Sequence, residues 1–523
     1  SRSSEISITV KIVDVDEACL KSAFKSSRSD DGTVYIRFEA RKNDEYRFLT
    51  GPCLKELQES KSRYYIQHLQ MEYVGSTRDL STFLQRQQNR LLTVARSQRT
   101  DDEEQEDRAA LTAIQAQIDS LNNTINELHY ISDSLNVVNE RMKALTALNA
   151  DHQIQLVAGN TDAGILVDNL KLAYLSGDAP LTFGGDGRRN QLYFATWLSK
   201  HELVPGSQRE KVVFYAVEEP EAHQRRLSEY LSSSLNDQIL ITTHSPQILA
   251  RYTDGRIVRL TKDPERQVTK ALSCSTMTDE ALGKFGYRLN SITSEVFFSR
   301  GVLLVEGPSE VLLYTALSGA LGIDLDHLNL SVVSVEGVGF KKYIDVCVSL
   351  DIPFIVRTDN DVFKVRKNDD GNYYRYAGVA RVADLLLNMP IESITEDVRS
   401  TIEQNKPLLV WEGDLPAEHN ERAASRIRKL GDEHGIYLAL KDLENDLVGG
   451  PLHNQIATQY NTQETGQIVK QMQLRKAESM YSFLRTGPDL SLLEDDPIAL
   501  PLHALVEKAS DVNFTNQSTG ICN

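Results

Sequence analysis

The stretches ISITVKIVDV, TVYIRFEA and YRFLTG, all within the first 51 residues, alternate apolar and polar positions, the period of half-buried strands, and polar turns separate them. Residues 1–75 therefore read as a β-rich beginning. Further on the period lengthens: Leu111, Ile114, Ile118, Leu121, Ile125, Leu128, Leu135, Val138, Met142 and Leu145 follow three-four spacing with one skipped position. Sustained over about five heptads, this predicts a helical seam roughly 50 Å long. Two arrangements bury such a stripe: one long amphipathic helix packed on its own domain, or a projecting helical hairpin used for dimerisation. The run RTDDEEQEDR ahead of it reads as a solvated acidic turn or helix start.

From about 165 to 265 strands and helices alternate, with EKVVFYAVEEPEAH and DQILITTHSP as buried-strand runs that end in polar residues. A second α/β unit begins near 300. Its strands are GVLLVE, LSVVSVEG and PFIVRTDND, linked by the helical stretches SEVLLYTALSGAL and KKYIDVCVSL. Residues 370–523 read as mostly helical and polar, with one more short strand at GIYLALKDLE. In such folds ligands sit beyond the carboxyl ends of parallel strands, so polar residues at strand ends are the first place to look for chemistry.

Composition narrows the function classes. At 523 residues the chain is too long for one core, and about 150 residues per domain implies three or so units. The longest apolar runs, such as GVLLVE and KPLLVW, fall far short of the roughly 20 residues of a membrane span, so a cytoplasmic protein with no membrane partner is expected. Five cysteines without CxxC spacing argue against a disulfide framework and a zinc site. The net charge of −17 argues against whole-surface attraction to nucleic acid, and leaves room for a local basic groove or for metal ions held by some of the acids. The opening SRSSEISITVKIVDVDEA lacks an initiating Met and starts in mid-alternation, so a preceding segment is expected.

The strand Val212–Val217 delivers Glu218 and Glu219, and Pro220 stops it. Phosphate hydrolysis needs such a pair, one acid to bind Mg²⁺ and one to orient or deprotonate the attacking water. ILITTHSP places His244 at the end of another strand, where an imidazole can sense a γ-phosphate. FGGDGRRNQL offers Gly184, Gly185 and Gly187 ahead of a helix, suited to cradling phosphate through backbone N–H groups. In order and spacing these resemble the signature loop, Walker B acids, D-loop and switch histidine of ABC-type ATPases, particularly the SMC-like branch, which also carries long helical insertions. The resemblance makes Glu218 the metal-binding acid, Glu219 the catalytic glutamate and His244 the switch histidine, with Gly185 and Gly187 in the nucleotide site. No G-x-x-x-x-G-K-[ST] occurs, and EGVGFKKY at 336–343 lacks its spacing and its Ser or Thr. Either a preceding segment supplies the phosphate loop for ATP or this half is inactive.

A second acidic set follows residue 300. Glu306 ends a strand and Glu310 lies on the first turn of the next helix, a position that the helix dipole alone would favour for an acid. In PFIVRTDNDVFK the acids Asp359 and Asp361 share one face of an extended segment; a polar turn is the alternative. ALKDLENDL adds Asp442, Glu444 and Asp446, with Glu444 the first candidate as a ligand. Carboxylates in this number suit Mg²⁺ or Mn²⁺, and two such ions about 4 Å apart form the clamp used for in-line attack on phosphodiesters.

This set resembles the Toprim fold, and an ABC-type ATPase followed directly by Toprim resembles the OLD (overcoming lysogenization defect) family of nucleases, which includes the nuclease subunit of the Gabija antiphage system and nucleases of certain retrons. The resemblance implies an α/β protein: an ATPase head (N-terminal lobe 1–80, C-terminal lobe 161–295) with a coiled-coil-like helical insertion at 81–160, then a Toprim domain with a helical C-terminal part at 296–523. It implies Glu306, Glu310, Asp359, Asp361 and Glu444 as ligands of a two-metal site, and a late lysine that stabilises charge at the scissile phosphate. Lys476 in KQMQLRKAESMYSFL is the candidate, with Arg475 and Lys470 beside it. The expected function is a metal-dependent DNA endonuclease regulated by the ATPase, in antiphage defence. Expected partners are DNA, further copies of the chain as a dimer or tetramer, and a helicase-like protein or a retron reverse transcriptase with its RNA–DNA product. The alternatives are a nucleotide-gated clamp or scaffold, and another Toprim enzyme of the topoisomerase or primase kind.

Overall fold

The computed structural model describes residues 5–41, 45–60, 64–75, 80–145, 155–156, 162–168, 174–176, 179–181, 192, 195–196, 212–218, 238–249, 256–263, 268–273, 293–335, 339–365, 373–390 and 393–514. Chain contacts divide it into two units, Ser1–Thr243 and His244–Asn523.

In the first unit, β1 (Glu5–Ile12), β2 (Val34–Arg41), β3 (Tyr46–Gly51) and β4 (Gln58–Glu59) form an antiparallel sheet in that order, as the alternation predicts. Its register puts Ile8 opposite Phe38 and Phe38 opposite Phe48, one apolar row across three strands. The helix α1 (Ala18–Phe24) buries Leu20 and Phe24 against Val15, Val34 and Tyr65. A parallel sheet joins β5 (Leu69–Val74) to β8 (Val212–Glu218) and β8 to β9 (Ile239–Thr242), while β6 (Tyr174–Ser176) and β7 (Ala179–Leu181) pair separately.

The helical insertion is three helices, α2 (Leu80–Ser97), α3 (Asp101–Glu127) and α4 (His129–Leu145), rather than one unbroken seam. The acidic run starts α3: Thr100 and Glu103 make a reciprocal capping box, and four acids fill the first turn, where the helix dipole favours them. Leu128 turns extended (φ −60°, ψ 128°) and ends α3 within the region of the skipped apolar position. Asn126 exchanges hydrogen bonds with the backbone of Leu156, and Gln115 accepts from Ala163 N at the start of α5 (Ala163–Asp168), so the returning chain runs back along α3.

In the second unit a hairpin of β10 (Val258–Asp263) and β11 (Val268–Ser273) lays Ile257 and Leu272 on the core. The central sheet is parallel, in the order β13 (Leu330–Ser334), β12 (Gly301–Val305), β14 (Phe354–Thr358), β18 (Ile436–Leu438). Every residue of β12 and β14 is buried, which explains their continuous apolar runs: helices cover both faces. Val302, Leu304 and Val356 face one core with α7 (Phe340–Ser349), α8 (Ala377–Leu387) and α9 (Glu418–Glu433). Leu303, Val305 and Ile355 face the other with α6 (Pro308–Ala320), α10 (Leu443–Gly449), α11 (Thr465–Leu474), α12 (Lys476–Leu484) and α13 (Leu500–Phe514). The polar-looking C-terminal part thus supplies the second covering layer, because each helix buries one stripe only. A small antiparallel sheet of β15 (Val362–Val365), β16 (Tyr373–Tyr376) and β17 (Val410–Glu412) was not expected; Trp411 packs against Tyr374 and Tyr376 on its inner face. Among the described residues no helix is long and apolar enough to cross a membrane.

Candidate functional site

The order β13-β12-β14-β18 makes the site. After β12 the chain crosses to β13 on one side, and later crossovers go to β14 and β18 on the other, so the strand order reverses between β12 and β14. The connections diverge there and leave a crevice at the carboxyl ends of those two strands. Leu304 pairs with Val356, so Glu306 and Thr358 arrive level at the mouth of that crevice. Glu306 Oε1 accepts from Thr358 Oγ1 at 2.5 Å and from Asp359 N at 2.9 Å, and receives the Arg381 guanidinium as well.

Glu310 lies on the first turn of α6, which Gly307 and Pro308 start sharply. It is buried and accepts from Ser309 Oγ at 2.9 Å. Its place in the first turn is one the helix dipole favours, and it is buried there as well. Asp359 follows β14 and is buried, whereas Asp361 is a third exposed and takes Arg381 Nη2 at 3.1 Å. Glu444, on the first turn of α10, is 1% exposed. Its neighbour Asp442 caps that helix through Asn445 N, and Asp446 accepts from the backbone N–H groups of Leu440 and Lys441. Of the three acids in that run, Glu444 is the one whose oxygens accept no hydrogen bond among the described residues; Asp359 Oδ1 is in the same position.

Lys476 begins α12 and brings Nζ to 3.4 Å from Glu444 Oε2 and 3.8 Å from Asp359 Oδ2. Arg475 instead pairs with Glu478 in solvent, and Lys470 is exposed on α11. Two cations were missed by the sequence reading. Arg381, on α8, joins Glu306 to Asp361. Arg357, on β14 and 3% exposed, lies 3.5 Å from Asp446, 3.6 Å from Asp359 and 3.9 Å from Glu310. A signal existed for Arg357: an arginine inside an apolar strand, two residues before Asp359 and so on its face, must have buried acidic partners. Arg381 carried none, since its distance from the site is closed only by Gly378. There α8 abuts the acidic turn so closely that a Cβ would stand 2.4 Å from Asp359 O and 2.7 Å from Asn360 Cα.

Electrostatics follow from burial. Desolvation, with Glu306 nearby, pushes the Asp359 carboxyl up to about 7 even though Arg357 pulls the other way. Burial also raises Glu444 and Asp446. Burial opposes charge on Lys476, and Glu444 and Asp359 outweigh it, holding the ammonium above its usual value. As the side chains stand, no group of three or more His, Cys, Asp or Glu among the described residues is drawn together as a ligand set, because Arg357, Arg381 and Lys476 lie between the acids. The donor chemistry still fits a hard cation: all-oxygen groups, two of them buried with bare oxygens, at a strand-end crevice.

In the first unit Glu218 ends β8 and takes a 2.5 Å hydrogen bond from Tyr73 Oη at the end of β5, which raises the Tyr73 phenol. His244 follows the end of β9 by two residues. Glu219, Gly184, Gly185 and Gly187 lie outside the described residues.

Residues 297–361 match the family model of the overcoming lysogenization defect protein-like TOPRIM domain, and residues 12–249 match an AAA ATPase domain. Endonuclease GajA of Bacillus cereus (strain VD045) is 28% identical over 65% of this chain and 58% of its own length. OLD nuclease of Thermus scotoductus (strain ATCC 700910 / SA-01) is 27% identical over 44% of this chain and 46% of its own. The chain thus spans about half the length of these relatives. Among solved structures, the C-terminal region of the Xanthomonas campestris pv. campestris OLD protein aligns at 23% identity over 43% of this chain and 99% of its own, with a TM-score of 0.25. That of the Burkholderia pseudomallei OLD protein aligns at 21% identity over 42% and 99%, with a TM-score of 0.24.

Proposed function

We propose that this chain, a relative of the OLD nucleases that pairs an AAA ATPase domain with an OLD-like TOPRIM domain, is a divalent-metal-dependent DNA endonuclease governed by its ATPase part. The observation that carries it is the crevice between β12 and β14, where buried oxygens of Asp359 and Glu444 accept no hydrogen bond among the described residues and Lys476 stands at ion-pair distance from both acids. Glu306, Glu310, Asp359, Asp361 and Glu444 would hold Mg²⁺ or Mn²⁺, which when bound supplies Lewis-acid polarisation of a phosphoryl oxygen.

The residues divide by depth. Glu310, Asp359 and Glu444 are buried beneath, while Glu306, Asp361, Arg381 and Lys476 are a third to a half exposed at the mouth. A phosphodiester reaches the mouth first. There the Lys476 ammonium neutralises charge that develops on the phosphoryl oxygens, and the Arg381 guanidinium, paired to Glu306 and Asp361, holds those acids in place. Lys476 and Arg381 are the basic side chains of the cluster that a phosphate can reach, and a bound divalent cation would offset the surplus of acids around them.

ATP would act through Glu218, Glu219 and His244, with Gly185 and Gly187 at the nucleotide. Assembly as a dimer or tetramer is part of the proposal, supported by apolar side chains left exposed on α3 and α4, such as Leu121 and Val137. So are a role in antiphage defence and a helicase-like or reverse-transcriptase partner, on the strength of the family resemblance. Supercoiled plasmid incubated with Mg²⁺ or Mn²⁺, with and without ATP, tests the core. Nicked or linear product is expected; relaxation without nicks, or no change under any condition, refutes it.

A further inference from the structure

The six carboxylates do not form one pool. Arg357 and Asp359 project to the same face of β14 as Ile355, the face covered by α6 and the C-terminal helices, and there Arg357 meets Glu310 and Asp446 while Asp359 shares Lys476 with Glu444. Glu306 and Asp361 are held at the mouth by Arg381 from α8. The inner group therefore contains four acids, Glu310, Asp359, Glu444 and Asp446, facing two cations, Arg357 and Lys476.

These two cations differ in kind. Lys476 is half exposed on a helix end and can swing away. Arg357 is held more firmly: it is rooted in the second strand from the edge of the parallel sheet, is 3% exposed, and lies within 3.5–3.9 Å of Asp446, Asp359 and Glu310. Moving it would strand a guanidinium in the core and leave the buried Glu310 and Asp446 without their cation. Its Nη1 donates no hydrogen bond and sits between Glu310 Oε1 and Asp359 Oδ1, as a point cation would.

We propose that Arg357 permanently fills the place of a second metal ion, so that the cluster takes one divalent cation per chain and not two. Resting on the reading of the cluster as a metal site, this corrects the two-ion count expected from the sequence. The four inner acids outnumber the two cations, so the group attracts a divalent cation. Asp359, whose Oδ2 faces Lys476 and not Arg357, and Glu444, neither of whose oxygens accepts a hydrogen bond among the described residues, are the inner ligands of that single ion.

The test is a Mn²⁺ titration of the full chain without nucleotide or DNA, followed by calorimetry and by electron paramagnetic resonance of free and bound ion. One Mn²⁺ per chain with an uncoupled spectrum, lost in Asp359→Asn, is expected. Two per chain with a spin-coupled spectrum overturns the inference and leaves the metal-site reading standing. No Mn²⁺ bound, or an ion retained in Asp359→Asn, overturns that reading and the inference with it. Arg357→Ala is expected to gain a second, coupled Mn²⁺; a folded Arg357→Ala that still binds one refutes the role given to Arg357, and if that variant does not fold, the wild-type count decides.

Discussion

Replacing Asp359 by asparagine should stabilise the metal-free protein, and by an amount that depends on pH. The carboxyl is buried, faces Glu306, and is held at about 7 in the folded chain, while the unfolded chain leaves it near the ordinary value of about 3.9. Between those values the folded state binds more protons than the unfolded one, so this group's contribution to stability is greatest at low pH and falls as pH rises, levelling off above about 7. At ~1.4 kcal/mol per pH unit the full cost is about 4 kcal/mol, of which about 1.5 has accrued by pH 5. The advantage of Asp359→Asn should therefore grow by about 2–3 kcal/mol from pH 5 to pH 8, or roughly 5–10 °C in the melting of the second unit. The assay is thermal unfolding of both proteins in chelator at the two pH values. An Asp359→Asn protein that is less stable than wild type at pH 8, or whose advantage is equal at both, refutes the electrostatic account. With excess Mn²⁺ the order should reverse, since only wild type gains binding energy from the ion.

Three further outcomes are expected. Glu306→Ala should abolish plasmid nicking by more than the roughly 10–100-fold that loss of an outer partner brings, with an unchanged circular-dichroism spectrum, because the side chain is partly exposed and supports no core; nicking that persists sinks its role. Lys476→Ala should lower the rate about 100–1,000-fold while Mn²⁺ affinity in calorimetry changes little; a loss of ion binding instead would make Lys476 a structural partner of Glu444. Gly378→Ala should destabilise the second unit by about 1–3 kcal/mol and weaken Mn²⁺ binding, because its Cβ meets Asp359 O at 2.4 Å and α8 must back away, taking Arg381 with it; an unchanged midpoint in urea would show that the approach is not tight.

Much of this was legible along the chain, for a definite reason. The strands at 5–51 and 301–305, the acids that end β8, β12 and β14, and the helix start at Thr100 are all local patterns, set by the period of burial and by the backbone groups exposed where an element begins or ends. They carried the α/β fold, the two halves and the acids Glu306, Glu310, Asp359, Asp361 and Glu444. The short strands β15, β16 and β17 were not legible, since four residues or fewer give no period and pairing joins Tyr374 to Trp411 across 37 positions. Nor was the division of the acids. Which carboxylate meets which cation depends on the reversal of strand order at β12 and β14, on the packing of α8 over Gly378, and on helices from the last eighty residues. Contacts such as Arg357 with Asp446, 89 positions apart, and Lys476 with Asp359 exist only once those layers close. The sequence by itself determined which acids stand at strand ends; the tertiary structure decided that three basic side chains stand among them, because only folding brings charges from distant segments to contact distance, at the half-open mouth for Arg381 and Lys476 and out of reach of water for Arg357.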